Sequence, residues 1–268
     1  MDIVDLGSGP PVIVIPGIQG RWEWMRPGIE ALARRCRVIT FSLADEGDGA
    51  GFDPAHGFTS YVEQVRTAMD ASGIDRAAIC GVSYGGLVAA TFAARHPDRV
   101  SSLVLVSAVP PGWQPDRRIR FLLRAPRLLA PLFCAGALRL YPEIAAASSG
   151  AIAGVRATIR HGWRATVHLF SPSLMARRVR LVRDAASTGE LRQFDAPVLV
   201  ITGEPALDRV VPVRMTHEYL ALWPRARVAT IDRTGHLGII TRPDEFARLV
   251  GPFVAETAPT AEIRRRVG

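Results

Sequence analysis

Gly81-Val82-Ser83-Tyr84-Gly85 constrains this chain more than any other stretch. The short apolar run at residues 77–80 precedes it, and the small-residue run at 86–95 follows it. Strand, sharp turn and helix in that order form a nucleophile elbow, which lifts a serine hydroxyl above the edge of a sheet. Glycine at 81 and 85 fits a turn so tight that a side chain there would strike the adjoining strand or helix. The helix then points its N-terminus at Ser83, and the Tyr84 N–H is free to face a developing oxyanion.

The other apolar runs repeat the strand-and-helix alternation. Residues 11–15, 37–41, 100–106, 198–201 and 226–231 read as strands. Pro27 opens a helix to about residue 35. Ser60 and Glu63 have the spacing of a capping box for a helix ending near residue 71. Residues 44–57 are Gly/Asp-rich and read as loop. Further helices are expected over about 213–222 and from about 241 to 255. Continuous Val/Ile/Leu strands separated by helices indicate a mostly parallel sheet flanked by helices on both faces. The alternation lapses once. From residue 111 to about 195 nothing reads as a strand, and prolines interrupt an Arg/Leu/Ala-rich helical pattern at 126, 131, 142 and 172. The expected organisation is a core of residues 1–110 and 193–258, an inserted helical lid at 111–192, and a charged, frayed tail at 259–268.

At 268 residues and 48% apolar the chain has material for one large core with an insertion. No apolar run approaches the ~18 residues of a membrane span. The acidic N-terminus lacks the basic segment of a signal peptide. Cys36, Cys80 and Cys134 are scattered and odd in number, which fits neither a disulfide framework nor a metal cluster; a reducing cytoplasm is the expected setting. No metal or cofactor is expected. The net charge of +8 is unevenly placed. Residues 111–192 hold 14 arginines against four acids (Asp116, Glu143, Asp184, Glu190), so the expected lid carries the whole excess. The chain has no lysine, a bias toward arginine that lowers the weight of any single one.

A serine needs a base to take its proton, and the base an acid to orient it. In a sheet of this kind both belong on loops after later strands. After the strand at 198–201 come Glu204 and Asp208; after the strand at 226–231 comes Gly235-His236. Of six histidines, only His236 both follows a strand and is bracketed by glycines. His96 closes the elbow helix, His56 lies in a loop, His161 and His168 fall in the lid, and His217 lies on a helix. Asp208 is the expected acid, with Glu204 bracing its loop and Asp232 too close in sequence to approach the ring from behind. The second oxyanion donor is expected in Pro16-Gly17-Ile18-Gln19-Gly20, whose glycines leave the Ile18 N–H free. Gln19 either adds a side-chain donor or faces solvent. Trp22, Trp24 and Met25 either wall an apolar acyl pocket or pack the core.

Elbow, acid loop and histidine loop in this order resemble the α/β-hydrolase superfamily over nearly the whole chain outside the lid. The resemblance implies Ser83 as nucleophile, Asp208 as acid, His236 as base, and Ile18 and Tyr84 as oxyanion donors. It also implies cleavage of a carboxylic ester, lactone or thioester through an acyl-enzyme. Alternatives on the same scaffold are a non-hydrolytic ligand-binding protein, an acyltransferase and a carbon–carbon bond hydrolase. A serine at the elbow argues against the aspartate-using dehalogenase and epoxide hydrolase branches. Four features depart from the family pattern. Pro16-Gly17 replaces His-Gly, and the acid loop is slightly long. The loop after the second strand lacks Arg-Gly-His-Gly, and the short N-terminus suggests a missing antiparallel edge strand. In the lid, Arg117, Arg118, Arg120, Arg124 and Arg127 interleave with apolar residues. That pattern fits an apolar face packed on the core beneath solvated arginines, an anionic lipid surface, or the docking of an acidic carrier protein. Sparse aromatics and the absence of a binding motif argue against nucleic acid.

Overall fold

In the computed structural model, which describes residues 2–46, 51–135, 139–147 and 171–259, the apolar runs become strands. They are β1 (Ile3–Leu6), β2 (Pro11–Ile15), β3 (Arg37–Phe41), β4 (Ala77–Val82), β5 (Val100–Val106), β6 (Val198–Thr202) and β7 (Arg227–Thr230). Among the described residues they form one sheet in the order β1-β3-β2-β4-β5-β6-β7. All pairings are parallel except β1 with β3. The antiparallel edge strand is therefore present, contrary to the expectation from the short N-terminus. Four residues suffice, because the Gly7–Gly9 turn returns the chain at once, and Arg37 on β3 ties back to Asp5 on β1 at 2.7 Å.

Side-chain alternation splits the core in two. Ile13, Ile15, Ile79, Leu103, Leu105 and Val200 face one side; Val12, Val14, Ala78, Cys80, Val104, Val106, Leu199 and Ile201 face the other. Each set is buried, which is why these strands read as unbroken apolar runs rather than alternating ones. The first side is covered by α2 (Thr59–Ala71) and α3 (Tyr84–Arg95), the second by α1 (Arg26–Leu32) and a long C-terminal helix over Pro243–Glu256. Each fully buried Ile, Leu or Val contributes about 1.5–3 kcal/mol. Burial also holds the Cys36 and Cys80 thiols protonated, pushing them up to about 11 and about 12.

The capping box expected at Ser60 and Glu63 does not form. The helix starts at Thr59, two residues before a Ser60 cap would start it, with no side-chain cap. Ser60 is instead buried, its hydroxyl donating to the Asp53 carbonyl at 2.7 Å, and Glu63 pairs with Arg66 at 2.8 Å. The loop across 53–60 thus takes the hydroxyl that a cap would have used.

Between β5 and β6 the described residues hold α4 (Arg117–Leu122), α5 (Ala130–Ala135), α6 (Tyr141–Ala147), α7 (Pro172–Leu181) and α8 (Thr188–Leu191), and no strand. Val182, Ala186, Leu191 and Phe194 already belong to the first core cluster, so the end of this segment is seated on α3 and the sheet. On α4 and just beyond it, Arg117, Arg118, Arg120, Arg124 and Arg127 are exposed, as are Phe121 (50%) and Leu128 (79%). His161 and His168 lie outside the described residues, as does most of the tail at 259–268. After β6 come α9 (Val213–Thr216) and a 3-10 turn over His217–Ala221; after β7 come α10 (Gly238–Thr241) and α11 (Pro243–Glu256). No helix among the described residues is long and apolar enough to cross a membrane.

Candidate active site

Because β2, β4, β5, β6 and β7 are parallel, the loops at their carboxyl ends share one edge of the sheet, the edge where open α/β sheets bind ligands. Ser83 stands between β4 and α3 with φ 55° and ψ −117°. Serine at positive φ costs on the order of 1–3 kcal/mol and persists only where the surroundings over-determine it. Here they do. The Ser83 N–H donates to the Val106 carbonyl at 2.9 Å, and its carbonyl accepts from Gly86 and Val109. The flanking glycines admit the close approach: a methyl group on Gly81 would lie 2.2 Å from the Gly85 carbonyl oxygen, and one on Gly85 would lie 2.4 Å from that of Ile15. Tyr84 heads α3, so its N–H has no intrahelical acceptor and sits at the positive end of the helix.

The loop after β2 closes on itself through Gly20 N–H to the Gly17 carbonyl, 2.8 Å, with Ile18 and Gln19 at the corners. A β-turn of that kind leaves the N–H of its second residue, Ile18, outside the turn bond. The loop lies beside the serine: a methyl group on Gly17 would be 3.4 Å from the Ser83 Cβ and 4.0 Å from its hydroxyl oxygen. Gln19 is half-buried. Trp22 packs against the second core cluster, which contains Met25, while Trp24 is half-buried on the same 3-10 turn.

Asp208 and His236, 28 positions apart, meet with Oδ2 3.4 Å from Nδ1. Both are buried, Asp208 at 4% and His236 at 9% exposure. The other Asp208 oxygen accepts from the Val210 and Val211 N–H groups, both at 3.0 Å, which fixes the carboxylate plane. Glu204 braces the two loops. Its N–H donates to the Thr234 carbonyl at 2.8 Å, and its carboxylate accepts from Arg233 N–H at 2.7 Å. Asp232 is exposed. His56 pairs with Asp53 at the surface, and His96 caps the C-terminus of α3. Among the described residues no group of three or more His, Cys, Asp or Glu is placed to hold a metal.

Two buried residues of the β5–β6 segment reach this edge without having been singled out in the sequence. Glu143 on α6 is 0% exposed; one oxygen accepts from the Leu237 N–H and, at 3.0 Å, from the Thr234 hydroxyl, on both sides of His236. Burial pushes its carboxyl above the ordinary carboxylate range, opposed by the Leu237 N–H, by the charge of His236 and by Thr234. Arg178 on α7 is 1% exposed and enters the loop after β2. Its signal lies in the helical pattern. Met175, Val179 and Val182 form an apolar stripe at four- and three-residue steps, and Arg178 lies on that stripe rather than opposite it.

A raised carboxyl pKa means the native state holds the proton more tightly than the unfolded chain does. Its contribution to stability is then complete below the unfolded value, about 4.3, and is lost as pH rises through the native value. Glu143→Gln keeps an oxygen for Leu237 and Thr234 but has no proton to lose. Relative to this variant, wild type is expected to lose stability as pH rises above about 4. Urea melts across pH check this, and parallel curves would remove the argument.

The sequence matches the family model described as alpha/beta hydrolase fold over residues 10–243. A 2-hydroxymuconate semialdehyde hydrolase of Pseudomonas putida is 31% identical over 266 residues, covering 94% of this chain and 89% of that protein. A pimeloyl-[acyl-carrier protein] methyl ester esterase of Aliivibrio salmonicida is 27% identical over 247 residues, 90% of each chain. The crystal structure of the enol-lactonase from Burkholderia xenovorans LB400 shares the fold, with a TM-score of 0.75 at 22% identity over 94% of this chain and 95% of that one. With its sheet order, its elbow and these matches, the chain is a hydrolase of the α/β-hydrolase fold family.

Proposed function

We propose that the protein is a serine hydrolase that cleaves a carboxylic ester, lactone or thioester through an acyl-enzyme. In this reading Ser83 attacks the carbonyl carbon while His236 takes its proton. The tetrahedral oxyanion is received by the N–H groups of Tyr84 and Ile18, and His236 protonates the leaving oxygen or sulfur. His236 then draws a proton from water as it attacks the acyl carbon, and returns that proton to the Ser83 oxygen as the acyl–oxygen bond breaks, freeing the acid and restoring the Ser83 hydroxyl. The observation that carries the reading is the buried Asp208–His236 pair, 3.4 Å apart, on the sheet edge that also holds the strained Ser83 turn. With Asp208 held by two backbone donors, the pair favours the tautomer whose Nε2 is free to act as base. Gln19, at a corner of the Gly17–Gly20 turn, and Trp22 and Trp24, which follow it in the chain, are the proposed substrate contacts.

Exposed Arg117, Arg118, Arg120, Arg124 and Arg127 support delivery of the acyl group by an acidic carrier protein, a reading favoured by the relative whose named substrate is a carrier-bound ester. The 31%-identical relative favours a second reading, hydrolysis of a carbon–carbon bond next to a ketone by the same three residues.

The test is a panel of esters, lactones, thioesters and a vinylogous diketone of graded acyl length, with wild type and Ser83→Ala compared by initial rates and burst amplitude. Serine-dependent turnover of oxygen or sulfur esters supports the proposal. Turnover of the diketone alone replaces it with the second reading, and neither burst nor turnover with any member leaves a binding protein. A rate that falls steeply with salt for a carrier-linked ester, and not for a neutral small ester, supports carrier docking.

A further inference from the structure

We propose that Arg178, supplied by the segment between β5 and β6, is a positioning residue that sets the oxyanion hole; this rests on the reading of Ile18 and Tyr84 as its donors. The guanidinium makes three contacts and all converge on the loops behind that hole. Nη1 donates to the Ile18 carbonyl at 2.6 Å, Nη2 to the Leu43 carbonyl at 3.3 Å, and Nη2 also pairs with Asp45. Asp45 is itself 1% exposed, and its other oxygen accepts from the Tyr61 hydroxyl at 2.7 Å. The Tyr61 ring meets the ring of Tyr84 edge-on, 6.0 Å between centroids and 86° between planes. One buried network therefore touches both residues whose N–H groups would hold the oxyanion.

The geometry suits a clamp. The Ile18 carbonyl belongs to the central peptide of the Gly17–Gly20 turn, the unit that flips when such turns change type. A guanidinium bound to that oxygen bars the flip and anchors Ile18, whose N–H lies in the preceding peptide, and its second nitrogen ties the turn to the loop after β3. Gly20, at φ +71°, makes room: a methyl group there would lie 2.1 Å from Nη1. A buried ion pair is weak evidence for stability, because desolvation offsets most of the attraction and apolar replacements often do as well. What an apolar pair cannot do is hold two backbone carbonyls in place. A misplacement of about 1 Å at a reacting centre costs on the order of 10²-fold in rate.

The experiment compares wild type with Arg178→Lys and with the double variant Arg178→Met/Asp45→Asn. The double variant removes both buried charges while leaving Tyr61 an acceptor, which avoids the uncompensated charge that a single truncation would bury. Each is checked for folding by circular dichroism and thermal melting, then assayed with p-nitrophenyl butyrate and with an aryl trifluoromethyl ketone, which binds as a tetrahedral oxyanion. The expected result is a kcat lower by roughly 10²-fold with KM changed little, and a ketone inhibition constant raised by the same factor. Guanidinium ion at sub-denaturing concentration is expected to restore part of the rate to Arg178→Ala, and ammonium ion is not. Folded variants with wild-type kcat and ketone affinity overturn the role of Arg178 alone. A parallel rise in KM with kcat kept would make Arg178 a substrate-binding or merely structural residue and equally overturn it. A wild type that neither turns over an ester nor binds the ketone overturns the hydrolase reading and this one with it.

Discussion

Ser83→Ala is expected to lower kcat on the order of 10⁶-fold, the loss seen when the serine of a serine–histidine–acid set is removed. Fluorophosphonate labelling should disappear with it. The fold should not change. The Ser83 side chain makes no cap to α3; the position is held by backbone bonds from Ser83 N–H to Val106 and from Gly86 and Val109 to the Ser83 carbonyl. Alanine keeps all of these. A companion variant separates strain from chemistry. Ser83→Gly removes the Cβ that makes φ 55° costly, a relief of about 1–3 kcal/mol, against about 0.5–1 kcal/mol of added unfolded-state entropy. It is therefore expected to be more stable than wild type and as inactive as Ser83→Ala, which thermal melts and ester assays measure together. If Ser83→Ala retained more than a small fraction of the wild-type rate, the nucleophile would have to be sought elsewhere on this edge.

The strands were legible because a doubly covered parallel sheet leaves unbroken apolar runs, and β2 to β7 fall within a residue or two of those runs. β1 was harder. Ile3-Val4-Asp5-Leu6 is short, lies on an edge and carries Asp5, so only its partner Arg37 on β3 and the tight turn that follows define it. Ser60 misled because a capping pattern is local, whereas the atom that claims its hydroxyl, the Asp53 carbonyl, comes from a loop with no pattern of its own. Near the candidate site, the loop positions of Ser83, Asp208 and His236 after their strands were legible, and the structure brings Asp208 and His236 together on the edge that holds the Ser83 turn. Glu143 and Arg178 could not be so read, because they come from helices whose docking is tertiary. Each is an ionisable group that would ordinarily seek solvent, buried here because partners await it: the Leu237 N–H and Thr234 hydroxyl for Glu143, and the Ile18 and Leu43 carbonyls with Asp45 for Arg178. A charged residue on the apolar stripe of an amphipathic helix is the one trace such residues leave in a sequence. That trace matters for the function of the β5–β6 segment. Through Glu143 it touches the loop that carries His236 and through Arg178 the loop after β2, so its placement and the shape of this sheet edge are one structural fact.

Asp208→Asn is expected to lower kcat by about 10⁴-fold while leaving KM and stability near wild type. The direction follows from the two faces of the carboxylate. Oδ1 accepts from Val210 and Val211 N–H, and only an acceptor can replace it there, so the asparagine oxygen takes that position. The amide nitrogen then faces His236 Nδ1, where the aspartate oxygen had been. An N–H₂ group donates, so Nδ1 must become the acceptor and the ring proton moves to Nε2. That is the nitrogen the mechanism requires to be bare. The ring stays in place and loses its function by the shift of one proton. Asp208→Ala should act differently, because it frees the Val210 and Val211 N–H groups and lets the loop relax, so stability falls along with rate. Proton NMR of the downfield imidazole signals distinguishes the cases: wild type should show an Nδ1–H resonance that Asp208→Asn lacks. If Asp208→Asn kept most of the wild-type kcat, the acid would have to be another carboxylate, and Glu143, the other buried carboxylate whose partners flank His236, would be the first to replace.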